Sequence, residues 1–275
     1  MRCLLLPLLF VQDGGQDEPR VYESMIVPYA STGEPDWAPS AERPRHVINV
    51  TLAGELIHHG RVLEDTAAVS KALERIAAEM PQAPLFEGGP PAPVGALLIR
   101  ADLVGDFAPV LDLIQAGAAL RLREYHLAVG DISKPRIGAD GVLLSNAGPE
   151  RYLPLSLPVE AGGDLQAVKT TLGLRVAEPG RRLEVTRPAA RPWSGEAGTR
   201  FRWDMAQRKV AYSLGKFETQ DRTELQKRLF GQRKVLIRAP VQVRVGAGIT
   251  AAEAMNALDV LRGLGVRDVR LVAQD

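Results

Sequence analysis

The chain has 275 residues, with 34 Lys+Arg against 33 Asp+Glu and 45% hydrophobic residues. That balance belongs to a globular chain and excludes a wholly disordered one, which could not bury enough apolar surface to offset chain entropy. The near-zero net charge disfavours nucleic-acid binding, the low aromatic content disfavours a stacking platform, and the single cysteine, Cys3, rules out an internal disulfide or a cysteine-based zinc site.

Met1 and Arg2 precede an apolar run over residues 3–11. Nine helical residues rise about 13 Å, whereas a bilayer core needs about 20 residues. Three readings stay open: a minimal signal peptide without a clear cleavage site, a truncated start, or a buried apolar tail. Residues 12–45 read as a Pro/Gly-rich linker with one extended piece at 24–28.

From residue 46 the pattern sharpens. Ile48, Val50 and Leu52 alternate on one strand, Ala53-Gly54 makes a tight turn, and residues 55–59 return, which predicts a β-hairpin. Val69, Leu73, Ile76 and Met80 form one helical stripe, with Thr66 as cap and Pro81 as stop. Residues 81–95 read as loop. Residues 96–101 (Ala-Leu-Leu-Ile-Arg-Ala) predict a central strand. A second helix carries Phe107, Val110, Leu111 and Ile114, with Asp106 as cap candidate and Gly117 as close. Residues 125–129 predict the closing strand. The expected order is β-β-α-β-α-β.

The same order is read near the C-terminus. Phe201, Trp203 and Met205 alternate, then Val210, Tyr212 and Leu214. Asp221 and Glu224 resemble a capping box before a helix with Leu225 and Leu229. Residues 234–239 are read as a strand. Thr250 and Glu253 form a second capping box ahead of Ala254, Met255, Leu258 and Leu261, and residues 267–273 predict the last strand. Letters match too: Leu98-Ile99-Arg100-Ala101 against Leu236-Ile237-Arg238-Ala239, and Val110-Leu111-Asp112-Leu113 against Ala257-Leu258-Asp259-Val260. A tandem duplication follows. The expected fold class is α+β: two repeated β-β-α-β-α-β units, each a small mixed sheet with two helices on one face. The expected division is 1–45 apolar start and linker, 46–131 first unit, 132–195 connector with short extended segments, and 196–275 second unit.

Both units resemble the periplasmic domain of ExbD/TolR-type biopolymer transport proteins. The resemblance rests on Asn49-Val50-Thr51-Leu52-Ala53-Gly54-Glu55-Leu56, Leu98-Ile99-Arg100-Ala101-Asp102 and residues 109–114, and in the second half on residues 235–239, 257–261 and Gly265-Val266. Val27-Pro28 and Leu157-Pro158 look like the extended segment that precedes the family domain. The resemblance implies a non-catalytic envelope component, periplasmic or inner-membrane-associated and facing the periplasm. It would serve proton-motive-force-driven transport or envelope integrity with an ExbB/TolQ-like channel subunit or a TonB/TolA-like protein, with peptidoglycan as a further contact. The alternatives are a secreted binding or structural module no longer coupled to a transport complex, and an unrecognised hydrolase. Family members carry a proton-accepting aspartate in a transmembrane helix. Asp13 is the only candidate here, and no apolar stretch follows it. Pro240 stands where the second unit should carry the aspartate of Arg-Ala-Asp.

Among chemistry-bearing residues, Arg100 and Asp102 fall on one face of a strand and Arg238 on its counterpart; these are the candidate binding residues. His58 and His59 are adjacent on a predicted strand, so their rings should point to opposite faces, and no metal site is expected. Asp112 and Asp259 are read as matching, solvated helix positions. Residues 175–209 hold nine Lys/Arg against four Asp/Glu, which suits a solvated linker or contact with an anionic polymer. Nucleophile-elbow, Walker and His-Glu-x-x-His patterns are missing, so neither catalysis nor a cofactor is expected. Pairing in this family suggests that the two units dock as an internal pseudo-dimer, with the two extended segments adding as edge strands.

Overall fold

A computed structural model describes residues 27–35, 39–84, 87–131, 135–137, 143–146, 151–156, 170–178 and 209–273. The architecture is α+β, with two mixed sheets and five helices among the described residues.

The first sheet grows from β1 (Tyr29–Ala30), β2 (Glu34–Pro35), β3 (Arg45–Val50), β4 (Leu56–His58) and β5 (Arg61–Leu63). Thr51 and Gly54 close the β3–β4 turn, where Gly54 takes φ +82°, a conformation that suits glycine. Helix α1 (Thr66–Glu79) follows; its cap is Asp65, which accepts from the Ala68 N–H, so the start lies one residue before the expected Thr66. Leu73, Ile76 and Met80 are buried, as the stripe predicts. Part of the expected loop 81–95 is a small hairpin, β6 (Gln82–Pro84) and β7 (Pro91–Pro93). Strand β8 (Ala96–Ala101) has Leu97 and Ile99 fully buried on the helix-covered side and Leu98 buried on the other, as a central parallel strand requires. Helix α2 (Ala108–Ala119) buries Phe107, Val110, Leu111 and Ile114, and β9 (Glu124–Asp131) closes the unit. Beyond it come β10 (Pro135–Ile137), β11 (Leu143–Asn146) and β12 (Arg151–Ser156). Strands β10 and β11 form a separate hairpin. The sheet order is β2-β12-β9-β8-β3-β4-β5, with β1 added to β9 in parallel at Gly130 and Asp131.

Of the two expected extended segments, the one at 153–158 overlaps β12, whereas Val27 and Pro28 of the other precede β1 and are not in a strand, and its residues 24–26 lie outside the described residues; β12 and β1 both lie beside β9. Strand β12 pairs antiparallel along residues 124–129, and β1 takes the two residues beyond. Together they cover an edge that would otherwise offer unpaired main-chain groups.

The second sheet consists of β13 (Thr170–Glu178), β14 (Lys209–Leu214), β15 (Phe217–Thr219), β16 (Val241–Val245) and β17 (Val269–Ala273), in the order β15-β14-β13-β16-β17. Its helices are α3 (Arg222–Gly231), α4 (Arg233–Leu236) and α5 (Ala251–Gly263). The central strand β13 falls inside the stretch expected to be connector, while the expected strand at 201–205 lies outside the described residues.

Residues 234–239 are not a strand. Leu236 and Ile237 donate to the Gln232 and Arg233 carbonyls, a helical pattern, and Ile237 is 48% exposed. The strand begins after Pro240, as Val241-Gln242-Val243-Arg244-Val245, whose period-2 alternation buries Val241, Val243 and Val245. Helix α5 starts at the expected capping box, with Thr250 and Glu253 bonding reciprocally. At α3 only half of that device forms: Asp221 caps Thr223, but the Glu224 carboxylate accepts from Thr219 Oγ1.

Five strands of each sheet follow the same sequence of pairings, and the first sheet continues past β9 into β12, β2 and β1. Two antiparallel neighbours lie on one side of the first strand (β4 and β5; β14 and β15) and two parallel ones on the other (β8 and β9; β16 and β17). Each carries a short third strand that the expected order omits. One buried cluster runs continuously from Ile48 and Leu73 through Phe107 to Met255 and Leu271, so the sheets share a core. Among the described residues no helix is long and apolar enough to cross a membrane.

Candidate functional site

The expected binding residues do not share one environment. Arg100 is half-buried on β8 beside Asn49 of β3, on the face that bears Leu98. Asp102, just past the strand, is 1% exposed and turns the chain: its Oδ1 accepts from the Val104 N–H and its carbonyl from the Gly105 N–H. Arg238 is exposed in the turn after α4, not on a strand. An equivalence of Arg100 with Arg238 therefore fails, because the strand that takes the place of β8 is β16, not 234–239.

Asp112 and Asp259 also part company. Asp112 is the fifth residue of α2 and exposed, as expected; Asp259 is the ninth of α5 and only 4% exposed. Its carboxylate accepts from Ser31 Oγ (2.8 Å), the Thr32 N–H (2.8 Å) and Thr32 Oγ1 (2.7 Å). Burial alone would push its carboxyl up, but the donors of Thr32 and Ser31 outweigh that and hold it below the ordinary aspartate value. One turn on, Arg262 bonds Glu34 at 2.6 Å. These contacts tie the segment around β1 and β2 to α5. Further along, the starts of α2 and α5 meet through the main chain. Phe107 N–H donates to the Ile249 carbonyl, and Ala251 and Ala252 N–H donate to those of Gly105 and Leu103. Asp106 and Thr250 form an antiparallel bridge.

An open cleft of about 600 Å³ lies between β4–β5, the start of α1 and α2. Glu55, Glu64, Asp65 and Asp112 line it beside Leu56 and Val69. Among the described residues no histidine, cysteine or lysine lines it, and Asp65 is already engaged as the α1 cap. It can accommodate a ligand with a cation and an apolar body.

The histidines depart most from expectation. His58 ends β4, but His59 and Gly60 form a two-residue turn, with φ of 47° and 80°, before His58 pairs with Arg61. The turn interrupts the alternation that would separate the two side chains, and their ring centroids come to 4.1 Å. Ile48 pairs with His58, so His46, two residues before Ile48, projects on the same face as His58; their centroids are 6.1 Å apart. Burial, then the neighbouring His59 and His46, push His58 down to about 4. Burial likewise lowers His46. The Gly after His59 was the available signal, because a Gly-containing two-residue turn accepts positive φ. The fourth histidine, His126, lies on the other face of the first sheet, stacked 4.2 Å from Tyr152 and bonded to Glu124, which also holds Arg43.

The fold and these sites define an α+β protein with two mixed sheets on a shared core. No family model, no curated protein and no solved structure matches the chain.

Proposed function

We propose that the chain is a non-catalytic component of a cell envelope, built from two related units of the ExbD/TolR periplasmic type that dock as an internal pseudo-dimer. It acts by contact with a membrane channel subunit of the ExbB/TolQ type, a TonB/TolA-like protein or peptidoglycan. The observation that carries this reading is the pairing order shared by five strands of each sheet, with the α2 and α5 starts meeting in antiparallel fashion. Asp106, whose carboxylate accepts from the Ala108 N–H, and Thr250, whose hydroxyl accepts from the Glu253 N–H, stand at equivalent helix starts, and a two-fold axis through their bridge relates the bond of the Phe107 N–H to the Ile249 carbonyl with that of the Ala251 N–H to the Gly105 carbonyl. The aligned stretch then matches β8 to β16 rather than to residues 234–239.

The 600 Å³ cleft, with Glu55, Glu64 and Asp112 on its lining, offers a docking place for a cationic segment of a partner. The alternative is a secreted binding module that has left a transport complex. Affinity capture of the full chain, co-expressed with an ExbB/TolQ-type subunit in a bacterial envelope, distinguishes the two, with co-sedimentation on purified peptidoglycan as a second arm. Recovery of the channel subunit is expected. A chain found only in the periplasmic extract, bound to neither, overturns the transport reading and leaves the secreted module.

A further inference from the structure

His46, His58 and His59 each offer a ring nitrogen, and the three nitrogens all lie within 4.8 Å of one another. Nitrogens bound to one tetrahedral zinc ion at 2.0–2.1 Å stand about 3.3 Å apart, so modest χ rotations close the set. Two further observations point to a ligand. The Nε2 of His58 is buried with no hydrogen-bond partner among the described residues, whereas a buried polar atom is ordinarily satisfied. And His59 holds a left-handed conformation in a turn position better filled by Asn or Gly.

The electrostatics agree. The Glu79 carboxylate, in the last turn of α1, exerts an attractive field on the cationic form of both rings, and Arg75, bonded to Glu79 at 2.9 Å, partly offsets it. Helix α1 also brings the negative end of its dipole to Glu79.

We propose that His46, His58 and His59 bind a single divalent transition-metal ion of borderline softness, Zn²⁺ foremost, with the fourth position left to solvent. Three imidazoles without a thiolate suit Zn²⁺, Cu²⁺, Ni²⁺ or Co²⁺ and not the oxygen-seeking Ca²⁺ or Mg²⁺. The ion clasps the β3–β4–β5 hairpin beneath the end of α1. The site is independent of the proposed envelope role, since it uses neither the cleft nor the meeting of the two sheets.

The test uses the untagged full chain after chelator treatment, titrated with Co²⁺ by visible absorption and with Zn²⁺ by competition against a chromophoric indicator. Thermal melts are run with and without metal. One equivalent bound, tetrahedral Co²⁺ bands and a raised melting temperature are expected. His59→Asn is the diagnostic variant, because Asn fits the turn while it removes a ligand. It should melt at or above wild type without metal, yet bind Zn²⁺ about tenfold or more weakly. His58→Gln should lose binding as well. Metal affinity unchanged in His59→Asn, or no stoichiometric binding by wild type at millimolar Zn²⁺, overturns the proposal.

Discussion

The Asp259 anchor admits a test whose size follows from its surroundings. Replacement by Ala removes the acceptor of three hydrogen bonds at a residue that is 4% exposed. Bonds to a charged group contribute about 1.5–3 kcal/mol each, but they are not additive. Ser31 is exposed and Thr32 half-buried, so their hydroxyls turn to water, and the Thr32 N–H carries most of the loss. The Arg222 nitrogen stands 3.9 Å from the carboxylate and is 44% exposed, so it adds little. The expected cost is about 2–4 kcal/mol for Asp259→Ala and about half that for Asp259→Asn, which keeps one acceptor oxygen.

Urea unfolding followed by far-UV circular dichroism measures both. A second arm varies pH. The carboxyl is held below its unfolded value of about 3.9, so its contribution is complete above that value and is lost as pH falls through the folded one. The stability gap between wild type and Asp259→Asn should therefore narrow from pH 6 toward pH 2.5. A cost under about 0.5 kcal/mol for Asp259→Ala, or a gap that stays constant over that range, refutes the reasoning.

Two further perturbations probe the core. Ile99→Ala, at a fully buried position in the middle of β8, should cost about 2–5 kcal/mol in urea unfolding, whereas Ile237→Ala, at a half-exposed site after α4, should cost less than about 1 kcal/mol. Equal costs would return residues 234–239 to a sheet. Gly117→Ala places a Cβ 2.7 Å from Tyr125 Oη, a group fixed by the Ile114 and Leu122 carbonyls, and should cost about 1–3 kcal/mol by thermal melting, with partial recovery in the double variant with Tyr125→Phe.

Periodicity and capping carried most of the fold into view. Helix α5 has both halves of its capping box and a continuous apolar stripe, and β8 is a bounded apolar run, so local chemistry and burial agree at both. Residues 234–239 failed because Val-Leu-Ile is too short a run to distinguish strand from helix. Identity with residues 98–101 then stood in for a pattern, although the alternation of Val241 to Val245 lay just beyond Pro240. Strands β5 and β15 are three residues each, below what alternation can register. The histidine cluster was hidden by a correct rule applied one residue too far: side chains alternate along a strand, but β4 ends at His58. Asp259 looked like its supposed counterpart because no pattern in α5 announces the Ser31-Thr32 segment more than 220 residues earlier.

The meeting of α2 and α5 bears on how the chain can drift. Its described hydrogen bonds use the main chain of residues 103–107 and 249–252, so most side-chain replacements there leave the donors and acceptors in place. Asp106 and Thr250, which face each other across the bridge, already differ in side chain. Proline is the exception. The first turn of a helix is where proline ordinarily does least harm, yet at Ala251 or Ala252 it would delete an amide that α5 lends to Gly105 or Leu103. At this junction a substitution tolerable to the helix by itself costs the pair a main-chain hydrogen bond.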